Sequence, residues 1–499
     1  MRLLRSASPA VRSKGIRRVM GAIRPACAVS ARVVRTLGVL VLFGSVAGTV
    51  WAQNGASGAL TLTQAWQAAM QNDPTYKAAI SEREAGQTNR AQGLAGLLPQ
   101  VSASYGRTRI RGELETQNAR GNDVTEDLRY MSGVKEIRAT QPVFNWTRIA
   151  EYRQGQARAD YSLAVFDTKA KDTSVRLLNR YFQTLLSFEQ LKLSQSKLQA
   201  NEKQVVAAQR RFDGGEGTVT DVYEAKSRRD LSRADVIQAE DALVVARREL
   251  QEMLGSSPVE LTTLSADFKP RPLQPATQAE WLAMAMAANG EVRAGQEGVR
   301  ITSQEIDRAF GGHLPSVDVV ASRRDVSNET ISTRNQDSNT TSVGIQVNLP
   351  VFSGGLTSAQ VSQARHNRDR ASEELAATRE RIAVEVTRQY QAVISGAQRI
   401  GALEVAVASN KAALQAVEKS FEAGTRSIID ILDSQDRFYR SQLDLAQARL
   451  QYVLARLTLS GVANTLDAST IDAASLAFFG PETVRLDDMN APAVLAARR

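Results

Sequence analysis

FDGGEGTVTD at residues 212–221 and FEAGTRSIID at residues 421–430 are two copies of one pattern, 209 positions apart. Phe212 aligns with Phe421, Gly215 with Gly424 and Asp221 with Asp430. Working outward, further markers recur at similar offsets: LLPQVSAS at 97–104 against HLPSVDVV at 313–320, and QPVF at 141–144 against LPVF at 349–352. Each half therefore runs in one order: short helix, strand, polar loop, strand, long helical tract. A duplicated unit predicts pseudo-symmetric architecture, with function in what the halves jointly enclose.

The tracts around the two copies are long. Residues 147–209 carry no proline, and such a helix would span roughly 90 Å at 1.5 Å per residue. A second proline-free tract, 218–254, ends at MLGSSP, a glycine stop followed by Pro258. The second half repeats the pair at 356–420 and 426–460. In the last tract Ile431, Phe438, Leu445 and Tyr452 recur every seven residues, flanked by Leu432, Tyr439, Ala446 and Val453, which predicts coiled-coil packing. The seam is diluted by Ala, Ser and Gln, as a wall of closely approaching helices around an aqueous bore requires.

Strands read differently. In VGIQVNLPV at 343–351, Val343, Ile345, Val347, Leu349 and Val351 share one face, and Gly344, Gln346, Asn348 and Pro350 the other. Val317, Val319 and Ala321 alternate likewise, as do Val101, Ala103 and Tyr105, while 134–143 is the poorest of the four. Such alternation marks an outer-membrane barrel or a soluble sheet with one wet face. The polar stretches 107–129 and 322–340 are expected to be exposed loops. Four strands cannot close a membrane barrel, and an open edge cannot face lipid, so a membrane reading forces several copies into one barrel. Tyr105, Tyr130, Phe144, Trp146 and Phe352, at strand ends, are candidates for a membrane-interface belt.

The first 52 residues hold nine Arg or Lys, from Arg2 to Arg35, and no acid, followed by LGVLVLFGSVAGTV at 37–50. This predicts a secretory signal at 1–52 cleaved after Ala52, with Met20 as an alternative start. The leader's nine positive charges account for the whole net excess of +9, so the basic balance does not argue for nucleic acid. Cys27, the single cysteine, leaves with the leader and precedes the apolar run, which argues against a lipid anchor there.

Enzyme chemistry finds no support. There is no HExxH, GxSxG, GxxxxGK or GxGxxG, and His313 and His366 lie about fifty residues apart. No cofactor and no metal site is expected.

FEAGTRSIIDILDSQDRFY at 421–439 resembles the helix-start motif of the TolC family of trimeric outer-membrane channel-tunnels, and FDGGEGTVTDVYEA at 212–225 resembles its first-repeat partner. QPVFNW at 141–146 and LPVFSGG at 349–355 look like the family's barrel-to-helix transitions, and Asn72-Asp73-Pro74 like its early turn. The likeness covers Leu60 to about Leu466 and looks closest to the type I secretion branch. It implies a mostly α fold with β: a long α-helical coiled-coil barrel joined to a 12-stranded trimeric β-barrel, four strands per subunit. The expected organisation is a first repeat at 53–255 (strand hairpin about 101–143, helices about 147–254) and an equatorial segment at 256–285. A second repeat follows at 286–461 (hairpin about 317–351, helices about 356–460), then a C-terminal equatorial segment and tail at 462–499, of which 483–499 shows little pattern. The implied function is a passive duct across outer membrane and periplasm, working with a periplasmic adaptor and an inner-membrane ABC or proton-driven exporter, in protein secretion or drug efflux.

The same resemblance implies residue roles. Asp430 and Asp433, three apart on one helix, would ring the periplasmic entrance, although DxxD near a helix start is also what simple capping produces. Arg426 with Thr220 and Asp221 would latch that entrance shut. Gly215, Gly217, Gly424 and Thr425 would form the hairpin tips where an adaptor docks. The first tip departs from the family pattern in carrying GGEGT. The competing expectation is a non-transporting coiled-coil envelope scaffold, which explains the helices and the repeat but not the alternating strands.

Overall fold

The structure, a computed structural model, describes residues 59–486; the expected signal segment at 1–52 and tail residues 487–499 lie outside the described residues. The chain starts with α1 (Leu62–Asn72) and α2 (Pro74–Ala95), then β1 (Gln100–Gln117) and β2 (Asp123–Phe144). The long helices α3 (Trp146–Asp213) and α4 (Val219–Leu254) follow, then a short strand β3 (Glu260–Leu264). The order then recurs: α5 (Gln278–Ala288), α6 (Gly290–Phe310), a 3-10 turn, β4 (Ser316–Ser327), β5 (Asp337–Asn348), α7 (Leu356–Glu422) and α8 (Ile428–Val462). Helix α9 (Ala468–Phe478) and strand β6 (Phe479–Arg485) close the described chain.

Local sequence explains where the helices begin. Thr61 with Gln64, Thr218 with Asp221, Thr277 with Glu280 and Ser427 with Asp430 each form a capping box, satisfying otherwise orphaned backbone donors at the starts of α1, α4, α5 and α8. Both halves thus use the same two devices at equivalent places. Asp73 caps α2 while Arg176 of α3 grips both its oxygens at 2.8 and 2.9 Å. The returning helices are tied back in parallel fashion: Asn72 Nδ2 donates to Leu254 O and Asn289 Nδ2 to Val462 O, each at 2.9 Å.

Helix α3 has 68 residues and α7 has 67, so each rod is roughly 100 Å long. Small residues let the rods approach. A Cβ on Gly155 of α3 would meet Asn89 O of α2 at 2.6 Å, and one on Gly93 would meet Tyr152 Cα at 3.0 Å. The seven-residue seam of α8 buries Ile431, Leu432, Tyr452 and Val453, with Phe438 and Leu445 half-buried. Among the described residues no helix is long and apolar enough to cross a membrane.

The four strands form one antiparallel sheet in the order β1-β2-β4-β5, leaving β1 and β5 as edges. The weakest strand in sequence, within β2, is a central one, paired on both sides. The expected loops shrink. Residues 107–117 and 123–129 continue the strands, leaving a turn at 118–122, and the second loop is 328–336. The reason is an exchange of faces. Up to Tyr105, one face carries Val101, Ala103, Ile137, Ala321, Val343 and Ile345, with Arg323 beside Ile137 as an exposed exception, and most polar side chains lie opposite. Beyond it, the same face carries Arg107, Arg109, Arg111 and Arg129, while Ile110, Tyr130 and Leu128 occupy the other. Leu128 and Val326 are buried there, and Arg334 of the 328–336 loop pairs with Glu126. A period-two reading that keeps its apolar side fixed sees only polarity. The apolar lower face is bare: Val343, Ile345 and Val347 are 75, 74 and 64% exposed.

Between the repeats, β3 pairs antiparallel with β6, bringing the inter-repeat segment against the C-terminal one. Residues 483–485, expected to be patternless, belong to β6, and Val484 is buried opposite Leu261; one buried position in a short strand leaves little periodicity to read. Here an aromatic cluster, Phe268 with Tyr452 and Phe478, and Tyr181 with Phe182 and Phe479, fills the main core. The Tyr181 hydroxyl lies 2.9 Å from Thr262 O and 3.1 Å from Leu60 O, and burial pushes its pKa up.

Candidate functional site at the hairpin tips

The two long hairpins, α3–α4 and α7–α8, turn over matched tips. Helix α3 ends where Glu216 N and Gly217 N donate to Arg211 O at 2.9 and 3.1 Å; α7 ends where Gly424 N donates to Phe421 O and Thr425 N to Ser420 O, both at 2.9 Å. Gly215 (φ +77°) and Gly424 (φ +74°) occupy the left-handed region that reverses each chain. Gly217 has no positive φ. It packs against the end of α3, where a Cβ would meet Phe212 N at 3.2 Å.

The acids after each tip begin as caps. Thr218 N and Oγ1 donate to Asp221 Oδ2 at 3.1 and 2.8 Å, and Ser427 N and Oγ donate to Asp430 Oδ2, both at 2.9 Å. The Ser427 backbone and hydroxyl bonds hold Asp430 below its ordinary carboxylate pKa, with smaller help from Arg426 and Arg437. Arg426, in the turn just before α8, has its Nη1 3.7 Å from Asp430 Oδ1 in the first turn of that helix. Among the described residues no hydrogen bond or ion pair joins Arg426 to Thr220 or Asp221; Thr220 is exposed as the second residue of α4.

What joins the hairpins is a set of contacts that sequence reading missed. Ala208, Val222, Ala225, Ile428 and Leu432 form a small buried core beneath the tips, with Val205 and Phe421 packed on it. Above it the Arg211 guanidinium lies 4.4 Å over the Phe421 ring. Below it Arg228 Nη2 of α4 reaches Asp433 Oδ1 of α8 at 3.0 Å. Further down, Lys197 of α3 sits between Asp436 (2.8 Å) and Asp235 (3.3 Å), and Tyr439 Oη donates to Ser196 O at 3.3 Å. Burial pushes Asp436 upward, but the hydrogen bond and charge of Lys197 outweigh it and leave its pKa lowered. Asp430, Asp433 and Asp436 thus follow one another at three-residue spacing with different duties: a cap, an Arg228 pair and a Lys197 pair. The spacing was the available signal. The partners sit on α3 and α4, beyond any local window.

These contacts are partly exposed, with the Arg228 and Asp433 side chains at 36 and 42%. Pairs of that kind hold weakly and reversibly. His313 and His366 are both exposed and far from the tips in sequence, and no group of metal-ligating side chains occurs among the described residues.

Comparison with known proteins adds four findings. The chain matches the family described as outer membrane efflux protein over residues 65–256 and 281–465. It is 33% identical over 428 residues to the alkaline protease secretion protein AprF of Pseudomonas aeruginosa, covering 85% of this chain and 89% of that one. It is 31% identical over 420 residues to the proteases secretion protein PrtF of Dickeya chrysanthemi, covering 83% and 90%. Among solved structures, the outer membrane protein VceC of Vibrio cholerae superposes with a TM-score of 0.68 at 17% identity, covering 80% of this chain and 96% of that one, a likeness of fold.

Proposed function

This chain belongs to the outer membrane efflux protein family, and from that premise we propose that it is the passive outer-membrane duct of a type I protein-secretion system. Outer-membrane channel function in efflux or secretion is the family property; protein cargo is the finer reading. It is supported by the names of AprF and PrtF, which are protease secretion proteins at 33 and 31% identity.

The observation that carries the reading is the sheet. A four-stranded antiparallel sheet with two unpaired edges and a bare face of Val343, Ile345 and Val347 has no stable form alone in water or in lipid. Three copies give twelve strands, enough to close a barrel and leave a pore. The rods of roughly 100 Å attached to it then line a tunnel across the periplasm, reached by an adaptor and an inner-membrane exporter. A coiled-coil scaffold would leave that sheet without a use.

Site roles follow within this reading. Asp430, brought near the three-fold axis, supplies a ring of carboxylates at the entrance, with Asp433 one turn further in and already matched by Arg228. The tips at Gly215, Gly217, Gly424 and Thr425 are the adaptor-docking surface. Arg426 is paired with Asp430 of its own hairpin, so its latch to Thr220 and Asp221 forms between neighbouring subunits.

The test is single-channel conductance of the purified mature protein in planar bilayers, beside D430A/D433A and R426A. Small cation-selective openings that lose selectivity in the double variant, and larger openings in R426A, support the duct and its gate. Well-folded, inserted protein without channels rejects the duct.

A further inference from the structure

The exchange of faces along β1 and β2 leaves a basic patch with no use in conduction. Arg107, Arg109 and Arg111 alternate along β1 on the face that carries Val101, Ala103 and Tyr105, and the register sets Lys135 beside Tyr105 and Arg129 beside Arg111. All five cations are exposed. Arg129 has an ion pair with Asp127 at 3.4 Å; the other four have none among the described residues. Arg109, Arg111 and Arg129 line one shallow depression of about 730 Å³. The row is bounded above by Glu113 opposite Asp127 and below by the apolar band.

Position says what these side chains meet. The apolar band faces lipid, and the helices leave the opposite end of the sheet, so the row lies on the outer side of the membrane. Successive arginines on a lipid-facing surface are costly inside the hydrocarbon and cheap at its rim. Tyr105 therefore marks the boundary, as interfacial tyrosines do. Arg107 follows it by about 7 Å along the strand at about 3.4 Å per residue. A ladder of unpaired guanidiniums beginning there, on the outside of the barrel and continuous with the lipid-contacting face, matches anionic groups fixed at headgroup depth. Arginine's planar fork suits phosphate oxygens, which it takes two at a time.

We propose that the outward face of β1 and β2 above Tyr105, through Arg107, Arg109, Arg111 and Lys135, binds the phosphates of glycolipid headgroups in the outer leaflet. The proposal rests on the outer-membrane reading. In a barrel each subunit presents one such patch, so the lipid annulus is held at regular places around the rim.

The experiment is native mass spectrometry of the full mature oligomer in detergent, offered lipid A and its enzymatically dephosphorylated form. Wild type should retain the phosphorylated lipid at least about tenfold better, a modest demand for several cations near a charged surface. R107S/R109S/R111S should lose that preference, whereas Arg138→Ser, which removes an exposed cation from the opposite face, should keep it. Wild type that retains both lipids equally, or a triple variant that keeps the preference, overturns the proposal and leaves the duct intact. Wild type that forms no membrane-inserting oligomer overturns the outer-membrane reading and this proposal with it. Channel conductance of the triple variant, unchanged when the barrel is folded, separates lost binding from lost structure.

Discussion

Arg228 Nη2 stands 3.0 Å from Asp433 Oδ1, so a hydrogen-bonded ion pair ties α4 to α8 across 205 residues of chain. Glu224, one turn back on α4, steadies the same guanidinium at 3.2 Å. The pair lies just below the small core under the tips, where separation of the hairpins would begin.

R228A and D433A should each loosen this joint. Because both side chains are about two-fifths exposed, a double-mutant cycle on thermal stability should give a coupling of only about 0.5 kcal/mol. The exchanged pair R228D/D433R should recover part of it. Zero coupling would remove Arg228 from the joint.

Asp430 titrates below its ordinary value because Ser427 bonds to its ionised form. A lowered folded-state pKa gives stability that is complete above the unfolded value, near 3.8, and disappears as pH falls through the folded one. The cap of α8 should therefore persist through the whole range above about pH 4. S427A should raise the Asp430 pKa relative to wild type, read by carboxylate NMR or by the acid limb of channel selectivity. An unchanged titration would mean that the cap does not set it.

Gly424 at φ +74° has open space where a Cβ would sit, so G424A is penalised by backbone conformation alone. It should cost about 1 kcal/mol, and G424N less, since asparagine tolerates the left-handed region. Hydrogen exchange at the α7–α8 tip is the direct measure. Equal protection in all three proteins would argue that the tip carries no such strain.

Asp73 is 2% exposed, caps α2 and holds Arg176 through both oxygens. D73N keeps a capping oxygen but gives up the charge pairing. It should destabilise by about 2 kcal/mol in denaturant unfolding, and D73A by more. Equal effects of the two would assign the whole contribution to the pairing with Arg176 and none to the cap.

Y181F removes a hydroxyl wedged between Leu60 O and Thr262 O, in contact with Thr262 Oγ1, where the first helix meets the inter-repeat segment. The loss should be about 1 kcal/mol, with the fold unchanged.

The large-scale plan was legible because it is written twice. Gly215 and Gly424, both with positive φ, and the cap acids Asp221 and Asp430 carry local meaning that a second copy underlines. Four helical tracts could be bounded to within a few residues from proline and glycine alone. Legibility failed where meaning is relative. The upper halves of β1 and β2 look like polar loop because Arg109 and Ile110 exchange the sides that Tyr105 and Ser104 hold lower down. Strand β6 was invisible because its one deeply buried position, Val484, is defined by Leu261 over two hundred residues away. At the tips, Asp430 and Asp433 could be singled out by spacing. That Asp430 is a cap and Asp433 a partner of Arg228 depends on how α4 lies on α8, which no local window contains.

The two bare sheet edges also dictate how the molecule comes into being. A lone subunit with β1 and β5 unpaired has nowhere in a bilayer to go, so partners must meet before or during insertion. Biogenesis is then steeply dependent on concentration, and an inactive subunit that still pairs its edges takes two good ones with it. A damaged allele expressed beside a sound one would act dominantly.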